Sequence, residues 1–361
     1  MIDGGAGIRT PWDTPPAPGE AVEVAEGVLW LRLPLPMALD HVNVYALDDG
    51  DGWTLVDTGM SSRTSRAIWD SLLSEPLRGK PVRRVVVTHH HPDHMGLGGW
   101  FQSVHGAELL TTRTAWLFAR MLTLDEQDRP PPETLEFWRR AGMDPKILAE
   151  RADERPFNFA DMVWPMPLGF TRLQQGDTLE MGGRRWDVHI GHGHAPEHAT
   201  FWSRDDALVL AGDQILPSIS SNLGVYATEP EADPVADWLE SCTRLAGLAR
   251  DDQLALGGHK LPFTGLPLRL AQLIENHRGA LARLERHIAT PKTAGACFAP
   301  LFKRSIGRAE YGLALVEAVA HLNHLHRAGR ATRHLNRDGA LEFTACRMAA
   351  GREAGGDGAA S

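Results

Sequence analysis

Apolar positions along the chain change their spacing several times, and each change marks an element. Short apolar runs at Val28–Leu33 and Val42–Leu47 are separated by polar turns. Trp53–Asp57 follows the turn-forming stretch Asp48-Asp49-Gly50-Asp51-Gly52, so a meander of strands is predicted. The pattern then predicts a helix over Ser61–Leu73, a short buried strand over Arg84–Thr88, a helix over Gly96–Val104 and a strand over Ala107–Thr111. Strand patterns return at Arg185–Ile190, Thr200–Ser203, Leu208–Ala211 and Leu254–Leu256.

Between Thr114 and Phe170 the strand signal disappears. Pro130-Pro131-Pro132 interrupts helical stretches that are dense in large apolar side chains, among them Trp116, Phe118, Phe137, Trp138, Phe159 and Trp164. This segment, about 114–170, reads as a helical insertion whose side chains either bury its own helices or form an apolar lid over a pocket. Past Leu254–Leu256 an amphipathic helix is predicted over Leu266–His287, followed by helical stretches at Ala294–Lys303 and Arg308–His326. Arg330–Leu335 and Ala340–Thr344 then flank the hairpin signal Asn336-Arg337-Asp338-Gly339. Three helices and a hairpin trace the outline of a winged helix over 266–347. Residues 1–20, rich in Gly and Pro, read as a loose arm, and 348–361 as a disordered tail.

Composition adds little except through its distribution. The chain of 361 residues carries a net charge of −9, yet 266–347 holds 13 Lys or Arg against 6 Asp or Glu. A basic tail on an acidic body suits a nucleic-acid partner, attraction between two parts of one molecule, or a second subunit. Cys242, Cys297 and Cys346 lie far apart, in no ligand spacing, and read as free thiols of a reducing compartment. No basic and apolar leader opens the sequence, and no apolar run approaches the ~20 residues that span a bilayer, so a cytoplasmic protein without a membrane role is expected.

The chemistry concentrates in four places, each following a predicted strand: Thr88-His89-His90-His91-Pro92-Asp93-His94, Gly191-His192-Gly193-His194-Ala195-Pro196-Glu197-His198, Ala211-Gly212-Asp213 and Gly257-Gly258-His259. In layered α/β folds, sites gather beyond the carboxyl ends of strands. Imidazoles and carboxylates in alternation are donors that zinc, iron and manganese accept, and one segment whose residues point to two sides can serve two ions. No Walker-type phosphate loop or dinucleotide fingerprint is present. Gly96-Leu97-Gly98-Gly99 fits close helix packing behind the histidine-rich loop.

His89, His91, Asp93 and His94 match the His-x-His-x-Asp-His signature of the metallo-β-lactamase superfamily, and Val56-Asp57-Thr58-Gly59 looks like its early Asp-Thr-Gly element. His194-Ala195-Pro196-Glu197-His198 resembles the later His-Thr-x-Gly-His element, with Glu197 standing where the family commonly has Gly. The resemblance covers about residues 24–260.

It implies a four-layer αββα sandwich over 21–265, with His89, His91 and His194 on one metal ion, Asp93, His94 and His259 on a second, and Asp213 bridging them. Asp57 and His198 would stand behind the ligands, as would His90 and His192 unless they lie at the surface. Asp93 would orient a metal-bridging hydroxide and shuttle its proton. Two divalent ions, zinc first and iron or manganese as alternatives, are the implied cofactors. The pocket candidates are Ile219, Ser221, Asn222 and Trp164. Their apolar setting suits a small acyl substrate, a carboxylic ester, thioester or lactone, as in glyoxalase II and lactonases. The alternative is an endoribonuclease-like phosphodiesterase that uses Arg327, Arg330, Arg333 and Arg337 to hold RNA. Packing against the body or a homodimer contact through His321, Leu322 and Leu325 is the expected job of the C-terminal helices.

Overall fold

The computed structural model describes residues 7–346. Two sheets are stacked face to face. In the first, the order is β1 (Val22–Ala25), β2 (Val28–Pro34), β3 (His41–Asp48), β4 (Trp53–Val56), β5 (Val82–Val86), β6 (Glu108–Thr112) and β7 (Thr171–Leu173). The pairs are antiparallel from β1 to β4 and parallel from β4 to β7. The second sheet contains β8 (Thr178–Met181), β9 (Arg184–Gly191), β10 (His198–Ser203), β11 (Leu208–Gly212) and β12 (Leu254–Gly257). Its neighbours follow chain order from β8 to β12, and only β11 and β12 run parallel.

Three apolar cores separate the layers. Trp30, Tyr45, Val86, Trp186, Val188, Phe201 and Leu256 fill the space between the sheets. On the outer face of the first sheet lie α1 (Arg63–Ser74) and α3 (Gly98–His105), the latter following the single turn α2 (Pro92–Met95). They bury Trp69, Leu72, Trp100 and Phe101. The outer face of the second sheet is covered by helices from the C-terminal half. This helix–sheet–sheet–helix order is the expected four-layer sandwich. It explains why β3 and β11 read as almost unbroken apolar runs, since both faces of each strand are covered.

The insertion is helical, with α4 (Arg113–Leu124), α5 (Pro132–Arg140) and α6 (Pro145–Asp153). Its side chains do two jobs. Trp116 stacks on Phe170 within the insertion, whereas Phe137, Ala141 and Met143 join the core of the C-terminal half.

Helix α7 (Pro234–Ala246) was legible in the sequence but is absent from the prediction. Asp233 caps it by accepting the Ala236 amide, Pro234 opens it, and Val235, Trp238, Cys242 and Leu245 recur at helical spacing on its buried face. Strands β1, β7 and β8 also escaped prediction, being three or four residues long with largely uncovered side chains.

The C-terminal half consists of α8 (Leu266–His287), α9 (Phe298–Phe302), α10 (Tyr311–Arg327) and the hairpin β13 (Ala331–Leu335)–β14 (Leu341–Ala345). The predicted helix over 294–303 is interrupted; a 3-10 turn at Ala294–Ala296 precedes the five-residue α9. These elements share one apolar core with α7 and the second sheet. His321, Leu322 and Leu325 are buried in that core, so this face of α10 packs on the body of its own chain. Residues 1–6 of the expected arm and all of the expected tail lie outside the described residues. The described part of the arm is pinned. Arg9 forms a two-hydrogen-bond bridge with Thr264, and Trp12 packs edge-on against Trp30 at 6.4 Å. Among the described residues no helix is long and apolar enough to cross a membrane.

Candidate metal centre

Five loops leave the carboxyl ends of β4, β5, β9, β11 and β12 and meet at one edge of the sandwich. Three groups of donors assemble there: His89, His91 and His194; His89, His94 and Asp213; and Asp93, His94 and His259. Within each group the donor atoms lie within 4.8 Å of one another. Every residue assigned to a metal from the sequence is therefore part of one cluster.

In the first half of the cluster, His91 Nδ1 stands 2.9 Å from His89 Nε2 and 3.1 Å from His194 Nε2. Burial and the neighbouring imidazoles push His89 and His91 well below the ordinary histidine range, so both are neutral and present lone pairs. In the second half, His94 Nε2 lies 3.5 Å from Asp93 Oδ2 and 3.4 Å from Asp213 Oδ1. His259 Nε2 lies 3.4 Å from Asp93 Oδ2 and 3.2 Å from Asp213 Oδ2. Burial opposes charge on His259, but Asp213 and Asp93 prevail and raise it to about 10. His94 is raised in the same way, against its burial, by Asp93, Asp213 and Asp57.

Two buried atoms test whether metals fit. His94 Nε2 and Asp213 Oδ1 have no hydrogen-bond partner, although both are removed from solvent and both point into the cluster. A buried polar atom left unmatched costs about 1–3 kcal/mol, and a divalent ion taken up in exchange for the His94 proton would satisfy both. The donor set fits such an ion.

The outward nitrogens are fixed as well. His89 Nδ1 lies 2.9 Å from the Thr88 hydroxyl, His194 Nδ1 donates to the Asn222 carbonyl at 2.9 Å, and His259 Nδ1 donates to the His41 carbonyl at 2.7 Å. Each leaves Nε2 facing the cluster, as partners of a metal-bound histidine must.

Asp57 performs this duty for His94. Its carboxylate lies 2.7 Å from His94 Nδ1 and accepts the Thr88 amide at 2.8 Å. The residue is held at φ +63°, a conformation that costs a non-glycine residue free energy and that these bonds offset.

His198 is buried in β10. Its Nε2 accepts the backbone amide of Asp213 at 2.9 Å and its ring stacks on His89. His90 turns away from the cluster towards the insertion, lying parallel to Phe159 and 5.2 Å from Phe118. His192 is drawn to the Pro196 carbonyl. Glu197 points out of the cluster and accepts the Thr114 amide at the first turn of α4.

Glycine at 258 has a steric cause. A Cβ there would strike Asp213 Oδ1 and sit 2.7 Å from His94 Cε1. Gly96, read as a packing residue, likewise leaves no room, with the Met60 backbone 2.8 Å from where its Cβ would stand.

The pocket candidates separate. Ser221 is buried and donates to the Asp213 carbonyl, while Asn222 supplies its carbonyl to His194. Ile219 is half-buried beside them, and its carbonyl accepts from Arg269. Trp164 packs over the outer face of the first sheet beneath the Arg66 guanidinium.

Sequence reasoning missed His41, Asn43 and Tyr45. The Asn43 amide and Tyr45 hydroxyl both hold the Gly257 carbonyl, which fixes the loop that carries His259. Asn43 and Tyr45 are polar residues inside an otherwise apolar strand, and that was their one visible signal.

Residues 37–259 match the metallo-beta-lactamase superfamily, and residues 281–346 match the metallo-beta-lactamase-like C-terminal domain. The chain is 25% identical over 304 residues to the "Probable metallo-hydrolase YqjP" of Bacillus subtilis (strain 168), covering 82% of this chain and 92% of that one. It resembles the crystal structure of a beta-lactamase domain protein from Burkholderia ambifaria, with a TM-score of 0.86, 36% identity, and coverage of 94% of this chain and 98% of the other. A metallo-beta-lactamase family protein from Thermus thermophilus superposes with a TM-score of 0.75 at 28% identity, covering 90% of this chain and 100% of the other. The chain thus belongs to the metallo-beta-lactamase superfamily, as a metal-dependent hydrolase.

Proposed function

We propose that the chain uses two divalent ions to hydrolyse a carboxylic ester, thioester or lactone with an apolar acyl portion. The observation that carries this reading is the position of Asp213. Its Oδ1 faces His94 at 3.4 Å, while its Oδ2 faces His194 at 3.5 Å and His259 at 3.2 Å. A carboxylate between two ligand sets can serve both. In this assignment His89, His91 and His194 hold one ion, Asp93, His94 and His259 hold the other, and Asp213 is shared. When bound, the ions would lower the pKa of a shared water towards neutrality and polarise the carbonyl under attack. Zinc suits these donors best, and iron or manganese accept them too.

The chain's own part is orientation and proton handling. Asp93 Oδ2, between His94 and His259, is placed to accept the proton released as the nucleophile forms and to return it to the leaving oxygen or sulfur. The half-buried Ile219 lies on the loop that follows Asp213, and Phe118 and Phe159 stand beside His90 on the insertion. Apolar side chains of this kind would favour an acyl chain over a sugar–phosphate backbone.

The phosphodiesterase alternative depends on a free basic patch in the C-terminal half. Three of the four arginines expected to hold RNA are engaged within the chain. Arg330 pairs with Glu285 at 2.6 Å, Arg333 with Glu231 at 2.8 Å, and Arg327 donates to the Glu231 carbonyl at 3.2 Å. The contacts of Arg333 and Arg327 with Glu231 support attraction between tail and body as the reading of the charge split.

The test is turnover of aryl esters, acyl thioesters, lactones and RNA by the metal-loaded protein at low and high salt. Acyl turnover that is insensitive to salt supports the proposal. RNA cleavage without acyl turnover, with affinity falling steeply as salt rises, overturns it.

A further inference from the structure

The loop from Asp213 to Asn222 supplies one shared carboxylate and one carbonyl to the metal centre, and the C-terminal helices hold it at three points. Arg269 on α8, itself buried, donates to the carbonyls of Leu216 and Ile219. His277 on α8 lies 3.2 Å from the Ser220 hydroxyl. On α10, Glu317 Oε2 accepts the Asn222 side-chain amide at 2.6 Å.

The last contact leads directly to the cluster. The Asn222 carbonyl receives His194 Nδ1 at 2.9 Å, and His194 Nε2 faces Asp213 Oδ2 at 3.5 Å. The carboxylate is kept there against its own preference. Burial pushes Glu317 up to about 7, and only the Asn222 amide favours its charged form. An apolar residue at this position of α10 would avoid that cost.

We propose that Glu317 is a positioning residue of the metal centre: it fixes Asn222 so that the Asn222 carbonyl keeps His194 aimed at its ion. This rests on the two-ion assignment above. It makes α10, which lies outside the segment carrying all the ligands, a part of the site. The acceptor oxygen is the functional feature, not the charge, because the contact is a hydrogen bond from a neutral amide.

The test compares wild type with Glu317→Ala, Glu317→Gln and Asn222→Ala. Ion stoichiometry and affinity are measured by chelator competition, folding by thermal unfolding, and turnover as separate kcat and KM. Glu317→Ala should weaken one of the two ions about 10–100-fold, leave the other unchanged, and lower kcat more than it raises KM. Glu317→Gln keeps an acceptor oxygen and should bind both ions as wild type does. Asn222→Ala keeps its carbonyl but loses the amide, so it should match Glu317→Ala, and the double variant should lose no more than either alone.

Wild-type affinity for both ions in Glu317→Ala would overturn the proposal. So would equal losses in the Gln and Ala variants at unchanged thermal stability, or additive losses in the double variant. If wild type itself binds fewer than two ions, the two-ion assignment fails instead, and the two failures are distinguishable.

Discussion

The two halves of the centre are built from the same loops yet differ in chemistry. His89, His91 and His194 form an all-imidazole set in which burial keeps His89 and His91 neutral. Asp93, His94 and His259 with Asp213 form a mixed set in which carboxylates hold His94 and His259 protonated in the absence of a cation. The first half presents lone pairs already free. The second must release protons as it takes an ion, so its affinity depends on its carboxylates and on whatever orients His94. One residue, Asp213, belongs to both.

That contrast can be broken most severely at the shared residue. Asp213→Ala should lower turnover about a thousandfold or more, an effect of roughly 4 kcal/mol on the barrier, while the fold survives. Steady-state kinetics together with circular dichroism check this. Gly258→Ala should damage the second half most, because its methyl group would displace His94 as well as the shared Asp213. Chelator competition should show the second ion weakened at least a hundredfold and the first weakened less. Asp57→Asn should be milder, weakening the second ion by about 10–100-fold with the first unaffected, since it alters only the partner of His94 Nδ1.

An effect of a different kind, on folding stability and not on ion binding, lies outside the cluster, at Glu317. Its carboxyl is raised in the folded state to about 7 from an ordinary 4.5, so the folded chain holds that proton more tightly. The stability this confers is complete below pH 4.5 and is lost as pH rises through 7. Glu317→Gln stays neutral throughout. It should match wild type at pH 4 and exceed it above pH 7 by up to about 3 kcal/mol, measured by denaturant unfolding across that range.

Most of the centre was legible because its ligands lie in short loops directly after strands that are themselves easy to read. Val85-Val86-Val87 before His89 and Leu208–Ala211 before Asp213 are examples. Asp57, which orients His94, was legible from its Asp-Thr-Gly element; other orienting residues were not, for two reasons. His41 and Asn222 act through backbone carbonyls, so their side-chain identity carries no signal. Glu317 lies 95 residues from the Asn222 amide it accepts, on a helix whose amphipathic pattern gives no hint of the contact. In the fold, α7 had a visible Asp-Pro start, while β7 and β8 owe their existence to neighbours in the sheets rather than to an apolar pattern of their own. The C-terminal helices and hairpin appear in the expected order, but the single core they share with the second sheet depends on tertiary packing that periodicity does not encode.

The central claim is a paired site, and counting ions tests it most directly. Elemental analysis of purified wild type beside His194→Ala and His259→Ala should give two ions per chain in wild type and one in each variant, because each removes a ligand from a different half. A single ion in wild type, or the loss of the same ion in both variants, would contradict the account.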